Sequence, residues 1–403
     1  MSKGNIVFLH PDLGVGGAER LVVDAAIALK NSGYDVKFVT SHHNSEHCFP
    51  ETKDGTLPVE VIGGWIPRNV FGRLFALLSC LKMIYCAFYV IFKLKPDLVF
   101  CDLVSACIPV LKMGVKKVVF YCHYPDQLLS MPEGLLKSLY RYPLDWLEEK
   151  TTVMADKLYV NSKFTQDVFC TTFRRNMTVV PDILYPSINT VAFDRHTEIK
   201  PEHSFKDEFV ILSINRYEAK KNIEIAILAL RQLRNELDDD RWDRVKLIIA
   251  GGYDPKVHEN IEYFEALVKL AKDTGLSEKI IFLKSPSEES KISLIRRCDC
   301  LIYTPPNEHF GIVPLEAMYA KKPVIASNSG GPTETVLNNK TGFLCEDSST
   351  SFAKALYKLI TEENLKEEMG RAGFKRFLEK FSFSSFSNHL NNDIEDLVAT
   401  KNN

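Results

Sequence analysis

Short apolar runs that alternate with amphipathic stretches are the feature that most restricts the fold of this chain. Residues 6–9 are continuously apolar, and residues 21–30, which follow them, have apolar side chains at helical spacing. Continuous apolar runs of this length are typical of parallel strands that are buried on both faces. Because the alternation continues along the chain, the sequence predicts doubly wound α/β architecture.

The alternation forms two series of similar length, separated by the proline-bounded residues 181–186. We expect a first domain over residues 1–185, a second over residues 186–380, and a C-terminal helix over residues 381–403 that packs back on the first. The predicted strands are residues 6–9, 35–40, 59–62, 98–101, 117–121, 157–161, 177–180, 209–214, 245–250, 279–283, 300–304, 323–326 and 342–344. The predicted helices are residues 21–30, 139–156 with a break near Pro143, 222–236, 261–273, 288–297, 313–320, 332–337 and most of 349–398.

Composition and charge exclude several classes of protein. Apolar residues make up 45% of the chain and charged residues 25%, which is typical of a globular protein rather than a disordered or fibrous one. The formal net charge of −2 disfavours a nucleic-acid partner. None of the ten cysteines forms a C-x-x-C pair, so we expect free thiols in a reducing compartment. No segment of signal-peptide type precedes the first strand, which predicts a cytosolic catalytic body.

Residues 74–92 form a long apolar segment that a single charged residue, Lys82, interrupts. Its length and basic flanks fit a membrane helix, but a buried core helix or a helix lying against one leaflet would read similarly. If this segment crossed the membrane, the elements before and after it, which we expect to line one site, would lie on opposite sides of the bilayer. Residues 65–120 hold eight Lys or Arg and two Asp or Glu, which suits anionic lipid headgroups. We therefore expect this segment to dock on a membrane surface.

One candidate phosphate site follows the first strand of each series. The first strand is followed by Gly14-Val-Gly16-Gly17-Ala-Glu19, in which glycines allow close approach of a ligand to the start of a helix. A tight turn without a ligand explains this loop equally well. Glu19 occupies the third glycine position of a dinucleotide fingerprint, and the strand over residues 35–40 ends without an acidic residue for a ribose, which disfavours a nicotinamide cofactor.

In the second series, Arg216, Lys220 and Lys221 cluster between a strand and a helix. Cations at a helix start oppose the helix dipole, so a bound diphosphate explains them better than a solvated helix end does.

The segment Glu308-His-Phe-Gly-Ile-Val-Pro-Leu-Glu316 carries two carboxylates eight residues apart. We expect Gly311 to form an unusual turn before a helix that begins near residue 313, with Glu316 in its first turn. In that position a carboxylate can accept hydrogen bonds from both hydroxyls of a ribose. The alternative is that both acids only cap the start of the helix. The backbone amides expected to point at a ligand phosphate are those of Phe310, Gly311, Ile312 and Val313.

This E-x(7)-E pattern with an internal Phe-Gly resembles the donor motif of retaining glycosyltransferase family 4. Ser329-Gly-Gly-Pro-Thr-Glu334 resembles another element of that family. In the first half, His10-Pro-Asp-Leu-Gly-Val-Gly-Gly-Ala-Glu-Arg20 and Phe120-Tyr-Cys-His-Tyr-Pro-Asp126 look like the dolichol-pathway α-1,3/1,6-mannosyltransferases of the family. The resemblance covers nearly the whole chain. It implies the GT-B fold, in which two facing Rossmann-like domains enclose a deep cleft.

The resemblance also implies roles for individual residues. The family often has glycine after its lysine, where this chain has Asn222, and Lys220 is a second candidate for the lysine position. For His123 the alternative is a structural role at a strand end. The implied roles are donor diphosphate contact for Gly16 and Gly17, transferred-sugar contact for His123, charge neutralisation for Arg216 and Lys221, mannose contact for Glu308, and ribose contact for Glu316.

The implied reaction uses GDP-mannose to extend a dolichyl-diphosphate-linked oligosaccharide with retention, at the cytosolic face of the endoplasmic reticulum membrane. No D-x-D motif follows a predicted strand, so we expect no obligatory protein-bound metal, with Mg²⁺ as a stimulant at most. Other transferases of the pathway are implied partners. Two alternatives stay open, namely a related enzyme with another donor such as UDP-GlcNAc, and a silent scaffold that binds nucleotide sugars.

Overall fold

A computed structural model of the chain describes residues 2–70, 73–130, 134–174, 179–195 and 207–399. It divides into two compact units. Unit 1 comprises Met1–Ser187 with Phe383–Asn403, and unit 2 comprises Ile188–Ser382. Each unit is built on its own parallel sheet, and the predicted architecture of two doubly wound α/β domains is therefore confirmed.

Unit 1 contains a seven-stranded sheet in the order β3-β2-β1-β4-β5-β6-β7. Its strands are β1 (Asn5–His10), β2 (Asp35–Thr40), β3 (Val59–Val61), β4 (Leu98–Asp102), β5 (Lys117–Cys122), β6 (Lys157–Val160) and β7 (Asp182–Ile183). Its first helices are α1 (Gly17–Asn31), α2 (Phe75–Tyr89, continued by a π-helical turn over Val90–Leu94), α3 (Ile108–Leu111), α4 (Asp126–Leu129), α5 (Leu135–Thr152) and α6 (Lys163–Thr172).

Unit 2 contains a six-stranded sheet in the order β10-β9-β8-β11-β12-β13. Its strands are β8 (Phe209–Ile214), β9 (Val245–Gly251), β10 (Ile280–Lys284), β11 (Cys300–Tyr303), β12 (Val324–Ser327) and β13 (Gly342–Cys345). Its helices are α7 (Thr190–Arg195), α8 (Glu224–Arg234), α9 (Asp239–Arg244), α10 (His258–Asp273), α11 (Glu288–Arg297), α12 (Ile312–Tyr319), α13 (Pro332–Thr335), α14 (Ser349–Thr361) and α15 (Leu365–Lys380).

The alternation of side chains along β1 creates two core layers in unit 1. Ile6 and Phe8 contribute to the layer that α1 covers, whereas Val7 and Leu9 point to the opposite layer, which α2 covers. Because both faces are covered, the parallel strands can be apolar at every position, and all five residues of β4 are buried.

The last helix, α16 (Phe383–Ala399), belongs to unit 1 although it follows unit 2 in the chain. Its residues Phe386, Leu390 and Ile394 are buried in the core layer beneath α1. The hydroxyl of Tyr159 also donates a hydrogen bond of 2.7 Å to Asp393. The helix is therefore an integral part of this core.

Helix α2 buries one face and exposes the other, although both are apolar. Met83, Cys86 and Val90 lie in the core layer against the sheet. On the opposite side, Phe88 and Phe92 are among the large apolar side chains that face solvent. Among the described residues, the span Phe75–Leu94 is the one helix long and apolar enough to cross a membrane, by length and composition alone.

Two predicted elements were wrong in detail. The strand expected at residues 177–180 lies instead at Asp182–Ile183; Val179 and Val180 are not in a strand, and residues 177–178 lie outside the described part. Helix α5 continues through Pro143 and ends at Thr152, without the expected break. A proline frees the carbonyl group four residues earlier, and here that residue is the exposed Leu139, where water can satisfy the oxygen.

Candidate active site

A lysine and a carboxylate meet at the carboxyl ends of two adjacent strands in unit 2. Lys221 follows β8, Glu308 follows β11, and these strands are neighbours in the sheet. Lys221 Nζ lies 2.5 Å from Glu308 Oε2, and both side chains are largely buried. The hydroxyl of Thr304 donates to the carbonyl oxygen of Lys221 at 2.8 Å, which fixes the backbone beside the ion pair. The sheet topology therefore brings together two residues that are 87 positions apart.

The electrostatics of this pair favour an ionised carboxylate. Burial works against the charge on Glu308, but Lys221 outweighs it, and the pKa of Glu308 is held below its usual range. Lys220 and Arg216 instead pair with Glu218, each at 3.0 Å, and both side chains extend toward solvent. The structure therefore places Lys221, rather than Lys220, against Glu308.

Asn222 occupies the position where a glycine was expected from the family pattern. Its φ angle is +47°, in the left-handed region, where asparagine is tolerated better than most side chains. The departure from the pattern is thus compatible with the same backbone turn, which ends the short 3₁₀ helix over Ala219–Lys221.

The loop that carries Glu308 is held by the glycines of the Ser329-Gly-Gly-Pro segment. The Gly331 amide donates to the Glu308 carbonyl oxygen at 2.7 Å, and Ser329 Oγ accepts from the Asn307 amide at 3.0 Å. A Cβ atom on Gly331 would lie 2.3 Å from the backbone of Phe310. The segment therefore serves as a close-packed support for the Glu308 loop.

Gly311, with a φ angle of +85°, is the residue that precedes α12. The helix begins at Ile312, one residue before the predicted start, so Glu316 lies in its second turn and the expected first-turn position was wrong. The ring of Phe310 is buried. Within the described residues no side chain caps the start of α12, so its first amides, including those of Ile312 and Val313, lack a side-chain acceptor there.

Glu316 is buried with one carboxylate oxygen paired and the other unpaired. Its Oε1 atom accepts from Lys291 Nζ at 2.7 Å, whereas Oε2 has no hydrogen-bond partner among the described residues. Burial raises the pKa of Glu316, and Lys291 only partly offsets the increase. A buried oxygen without a donor is costly, and a ligand hydroxyl would satisfy it.

The glycine loop of unit 1 leads directly into α1. Gly17 is the first residue of the helix and Gly16 the residue before it. A Cβ atom on Gly16 would lie 2.3 Å from Glu19 Oε2, whereas one on Gly17 would meet nothing within 4 Å. Gly17 thus borders open space at a helix N-terminus.

His123 lies at the same edge of unit 1, directly after β5. Its Nε2 atom is 2.9 Å from Asp102 Oδ2, at the end of β4. The other oxygen of Asp102 is 2.6 Å from Nδ1 of His10, at the end of β1. Because β1, β4 and β5 are consecutive in the sheet, their carboxyl ends place these three side chains in a row.

Unit 1 also contains a cavity of about 720 Å³ beside this edge. Phe75 and Ala76 of α2 form part of its wall, Leu144 of α5 another part, and the basic side chains of Arg68 and Lys82 also line it. The cavity therefore combines an apolar wall with charged side chains of both signs, because the acids Asp126 and Glu148 line it as well.

Neither a metal cluster nor a disulfide is present in the described residues. No group of three or more His, Cys, Asp or Glu side chains could hold a metal ion there. All ten cysteines are free, and burial raises the pKa of the Cys298 thiol to about 12. Asp238 caps the start of α9 through the Arg241 amide, at the surface.

Sequence comparisons decide the family. Unit 1 matches the profile described as Glycosyltransferase Family 4 over residues 15–183, and unit 2 matches Glycosyl transferases group 1 over residues 194–376. The human protein named α-1,3/1,6-mannosyltransferase ALG2 is 48% identical, over 98% of this chain and 97% of the human one. Proteins of the same name from Mus musculus and Dictyostelium discoideum are 47% and 42% identical over 98% of this chain, covering 96% and 98% of their own lengths. The chain belongs to glycosyltransferase family 4.

This membership confirms the predicted family and enzyme class, and it implies a nucleotide-sugar donor and a glycan acceptor. Solved structures show the same fold at low sequence identity. A glycosyltransferase from Rickettsia africae has a TM-score of 0.74 at 18% identity, covering 99% of this chain and 100% of that one. Sucrose-phosphate synthase from Thermosynechococcus elongatus has a TM-score of 0.75 at 18% identity, with the same coverage.

Several residues of this family 4 chain that shape the candidate site were not predicted. Asp102 links two histidines, and Lys291 holds Glu316. Gly251 ends β9 so close to Asn215 that a Cβ atom would lie 1.7 Å from its carbonyl oxygen. A sequence signal existed for Asp102, because an acidic residue that ends an apolar strand is unusual unless it has a partner.

Proposed function

We propose that this glycosyltransferase transfers mannose from GDP-mannose to dolichyl-diphosphate-linked Man1GlcNAc2, first forming the α-1,3 and then the α-1,6 branch. The observation that carries the proposal is the likeness to α-1,3/1,6-mannosyltransferases, which extends across both units at up to 48% identity. The ion pair of Lys221 with Glu308 and the unpaired buried oxygen of Glu316 support it, because both offer polar contacts to a nucleotide sugar.

In this proposal, unit 2 binds the nucleotide sugar. Glu316 accepts hydrogen bonds from the ribose, and Glu308 contacts the mannose hydroxyls. Lys221 and Arg216 neutralise the departing diphosphate, which is assisted by the amides at the start of α12. Arg216 is well suited to recruitment, because its guanidinium extends into solvent. It would exchange its contact with Glu218 for the diphosphate.

Unit 1 contributes the acceptor side in this proposal. Gly16 and Gly17 face the donor diphosphate, and His123 lies beside the transferred sugar. The open space at Gly17 supports close approach of a ligand to the N-terminus of α1. In the cavity of unit 1, Arg68 and Lys82 would contact the anionic, lipid-proximal part of the acceptor.

We propose that the sugar is transferred with retention by attack on the same face from which the diphosphate leaves. The leaving phosphate then accepts the proton of the acceptor hydroxyl. Lys221 stabilises the negative charge that develops on that phosphate. The ion pair supports this role, since the pKa of Glu308 is low enough to leave it ionised beside the lysine. No protein-bound metal is required in this scheme, and Mg²⁺ acts as a stimulant at most.

The membrane is proposed to be contacted through the exposed face of α2, at the cytosolic side of the endoplasmic reticulum and alongside other dolichol-pathway transferases. Two features support docking on one leaflet. The helix buries its inner face in the core of unit 1, and its outer face remains apolar. Helix α5 adds Tyr142 and Trp146, which are exposed as well. The two helices are in contact, because the Leu77 amide donates to the Tyr140 hydroxyl at 3.1 Å.

A product assay tests the proposed reaction. Purified protein is incubated with GDP-mannose and lipid-linked Man1GlcNAc2, and the product is analysed by mass spectrometry and linkage-specific mannosidases. Two added hexoses, one in each linkage, are expected. A single hexose would contradict the dual activity, activity only with UDP-sugars would contradict the donor, and binding without transfer would indicate a scaffold.

Flotation with liposomes that contain anionic lipid tests the docking face. A Phe88→Glu and Phe92→Glu double variant should lose binding, because it places two charges on the apolar face of α2. Leu378→Glu is the matched control, since it adds a charge at an exposed leucine of unit 2. Equal flotation of both variants would contradict docking through α2. Release of the wild type by salt alone would make the contact electrostatic.

A further inference from the structure

The segment that follows β5 is held at both of its ends by side chains from other elements of unit 1. At its start, Asn161 Nδ2 donates to the backbone oxygen of His123 at 3.0 Å. At its end, the backbone amide of Asp126 donates to Glu148 Oε1 at 2.6 Å, and that of Gln127 donates to Glu148 Oε2 at 3.1 Å. These are the first two amides of α4, so a single carboxylate of α5 binds both of them.

Helix α5 is itself fixed on either side of Glu148. Thr151, one turn later, has its Oγ1 atom 2.8 Å from Oγ of Ser105, which follows β4. Two turns earlier, Arg141 Nη2 lies 2.8 Å from Asp126 Oδ2, so a second side chain of α5 also contacts α4. Glu148 therefore binds the segment from a support that is anchored to the sheet.

The same side chains form part of the wall of the unit 1 cavity. Asp126, Arg141 and Glu148 all line it. At the other end of the segment, the side chain of His123 is 20% exposed at the carboxyl edge of the sheet. The segment therefore connects this edge to the cavity, and a displacement at one end is transmitted to the other.

The charges around Glu148 favour its protonation near neutral pH. Burial, together with the negative charges of Asp126 and Asp145, raises the pKa of Glu148 to about 7, although the two amide contacts work against the increase. Arg141 pairs with these same two aspartates. Above that pH both oxygens of Glu148 accept hydrogen bonds. Below it one oxygen carries a proton, and one of the two amides loses a good acceptor.

The thiols of the neighbouring elements stay neutral in this range. Burial raises the pKa of Cys80 in α2 to about 11, and it raises the pKa of Cys122 in β5 well above its usual value. Arg68 and Lys82 line the same cavity, as do Asp12 and His42, which lie 3.0 Å apart.

We propose that Glu148 is a positioning residue for transfer, which binds the first amides of α4 and so keeps the cavity wall and the edge that bears His123 in one fixed geometry for the acceptor. The inference rests on the proposed function and adds the residue that couples these two regions of unit 1. The carboxylate form of Glu148 is the competent one, since it alone offers two full acceptors.

The decisive variant is Glu148→Gln, which resembles the protonated acid in shape and in having one acceptor oxygen. We measure kcat/KM for the lipid-linked Man1GlcNAc2 acceptor from about pH 5.5 to about pH 8.5. The wild type should lose activity as the pH falls through about 7. The variant should be about tenfold less active than the wild type at the alkaline end, and the two should converge at the acidic end.

Two controls accompany this variant. Glu46→Gln, which removes an exposed carboxylate of unit 1, should behave as the wild type. The Kd for GDP should be the same in all three proteins, because unit 2 binds the nucleotide in the proposed function. A Glu148→Gln variant that is less active by the same factor at every pH would overturn the inference. So would an unchanged acidic limb, which would belong to a histidine such as His42 or His123.

Hydrogen exchange of the wild-type protein, followed by mass spectrometry, tests the contact without any variant. After correction for the intrinsic rate at each pH, protection of residues 124–129 should fall as the pH drops through about 7, whereas that of β6 should not. Constant protection of residues 124–129 would overturn the inference even if Glu148→Gln does not fold. Because exchange needs no substrate, failure to transfer mannose in the product assay would instead refute the proposed function.

Discussion

The carboxyl edges of the two sheets differ in how they place charged side chains at the candidate site. In unit 2, Lys221 and Glu308 form a partly accessible ion pair that a ligand can rearrange. In unit 1, the side chains of His10 and Asp102 are enclosed, and that of His123 is 20% exposed. The difference teaches that one edge has a charged pair within reach of a ligand, whereas the other encloses its paired side chains behind a single accessible histidine.

The largest expected effect tests the accessible pair. Lys221→Ala should lower kcat by about 100-fold or more, because the developing phosphate charge loses its nearest cation. Lys220→Ala is the matched control, since this neighbouring lysine is exposed and pairs with Glu218. Steady-state kinetics with GDP-mannose measure both variants. A near-normal rate in Lys221→Ala would remove the lysine from the mechanism.

A second prediction compares the glycines that support each edge. Gly331→Ala should destabilise unit 2 by about 1–3 kcal/mol, because its Cβ would overlap the backbone of Phe310. Gly17→Ala should leave stability almost unchanged, because its Cβ meets nothing within 4 Å, and should weaken donor binding instead. Chemical denaturation and GDP binding are measured for each. A destabilised Gly17→Ala variant, together with a Gly331→Ala variant of normal stability, would contradict this prediction.

A third prediction concerns the unpaired oxygen of Glu316. Glu316→Gln should raise KM for the donor about tenfold with a smaller change in kcat, because a neutral amide holds the ribose less well. The wild type should discriminate against 2′-deoxy-GDP-mannose, and the variant should not. Glu289→Gln, an exposed acid at the start of α11, is the control. If both enzymes treat the two donors alike, Glu316 does not contact that hydroxyl.

The smallest expected effect is a difference between the two edges in how their contributions to stability depend on pH. His10 has a raised pKa, so its contribution to stability is complete below about pH 6.5 and is lost as the pH rises toward 10. Glu308 has a lowered pKa, so its contribution is present above its ordinary pKa and is lost as the pH falls. The gap in melting temperature between wild type and His10→Asn should therefore narrow from pH 7 to pH 10. A constant gap would mean that His10 does not titrate in this range.

Most of the fold could be predicted because strand and helix signals are local. The strands over Asp35–Thr40 and Phe209–Ile214 match the predictions at both ends. The two-residue β7 was misplaced because its length leaves almost no pattern, and the adjacent Val180 is apolar yet exposed. A break was expected at Pro143 because local rules cannot see that the freed carbonyl group faces water.

The residues of the candidate site also fall into those that a local sequence motif predicts and those that only the fold brings together. Glu308 and Glu316 stand in one short motif, so the sequence contains both their identity and their spacing. Asp102 and His10 are 92 positions apart and become neighbours only through the order β1-β4-β5. Strand order is decided by packing of the whole sheet, so a single sequence without that order predicts His123 but not its partners.

The return of α16 to unit 1 has a consequence for synthesis on the ribosome. The chain leaves unit 1 at Ser187, builds the whole of unit 2, and supplies Phe386, Leu390 and Ile394 to the first core at the very end. Until those residues emerge, the part of this core that α16 covers stays exposed, although unit 2 can already close. The ribosome therefore completes unit 2 before unit 1, although it begins unit 1 first. A nascent chain that stalls before α16 would expose its defect near its N-terminus, far in sequence from the missing residues.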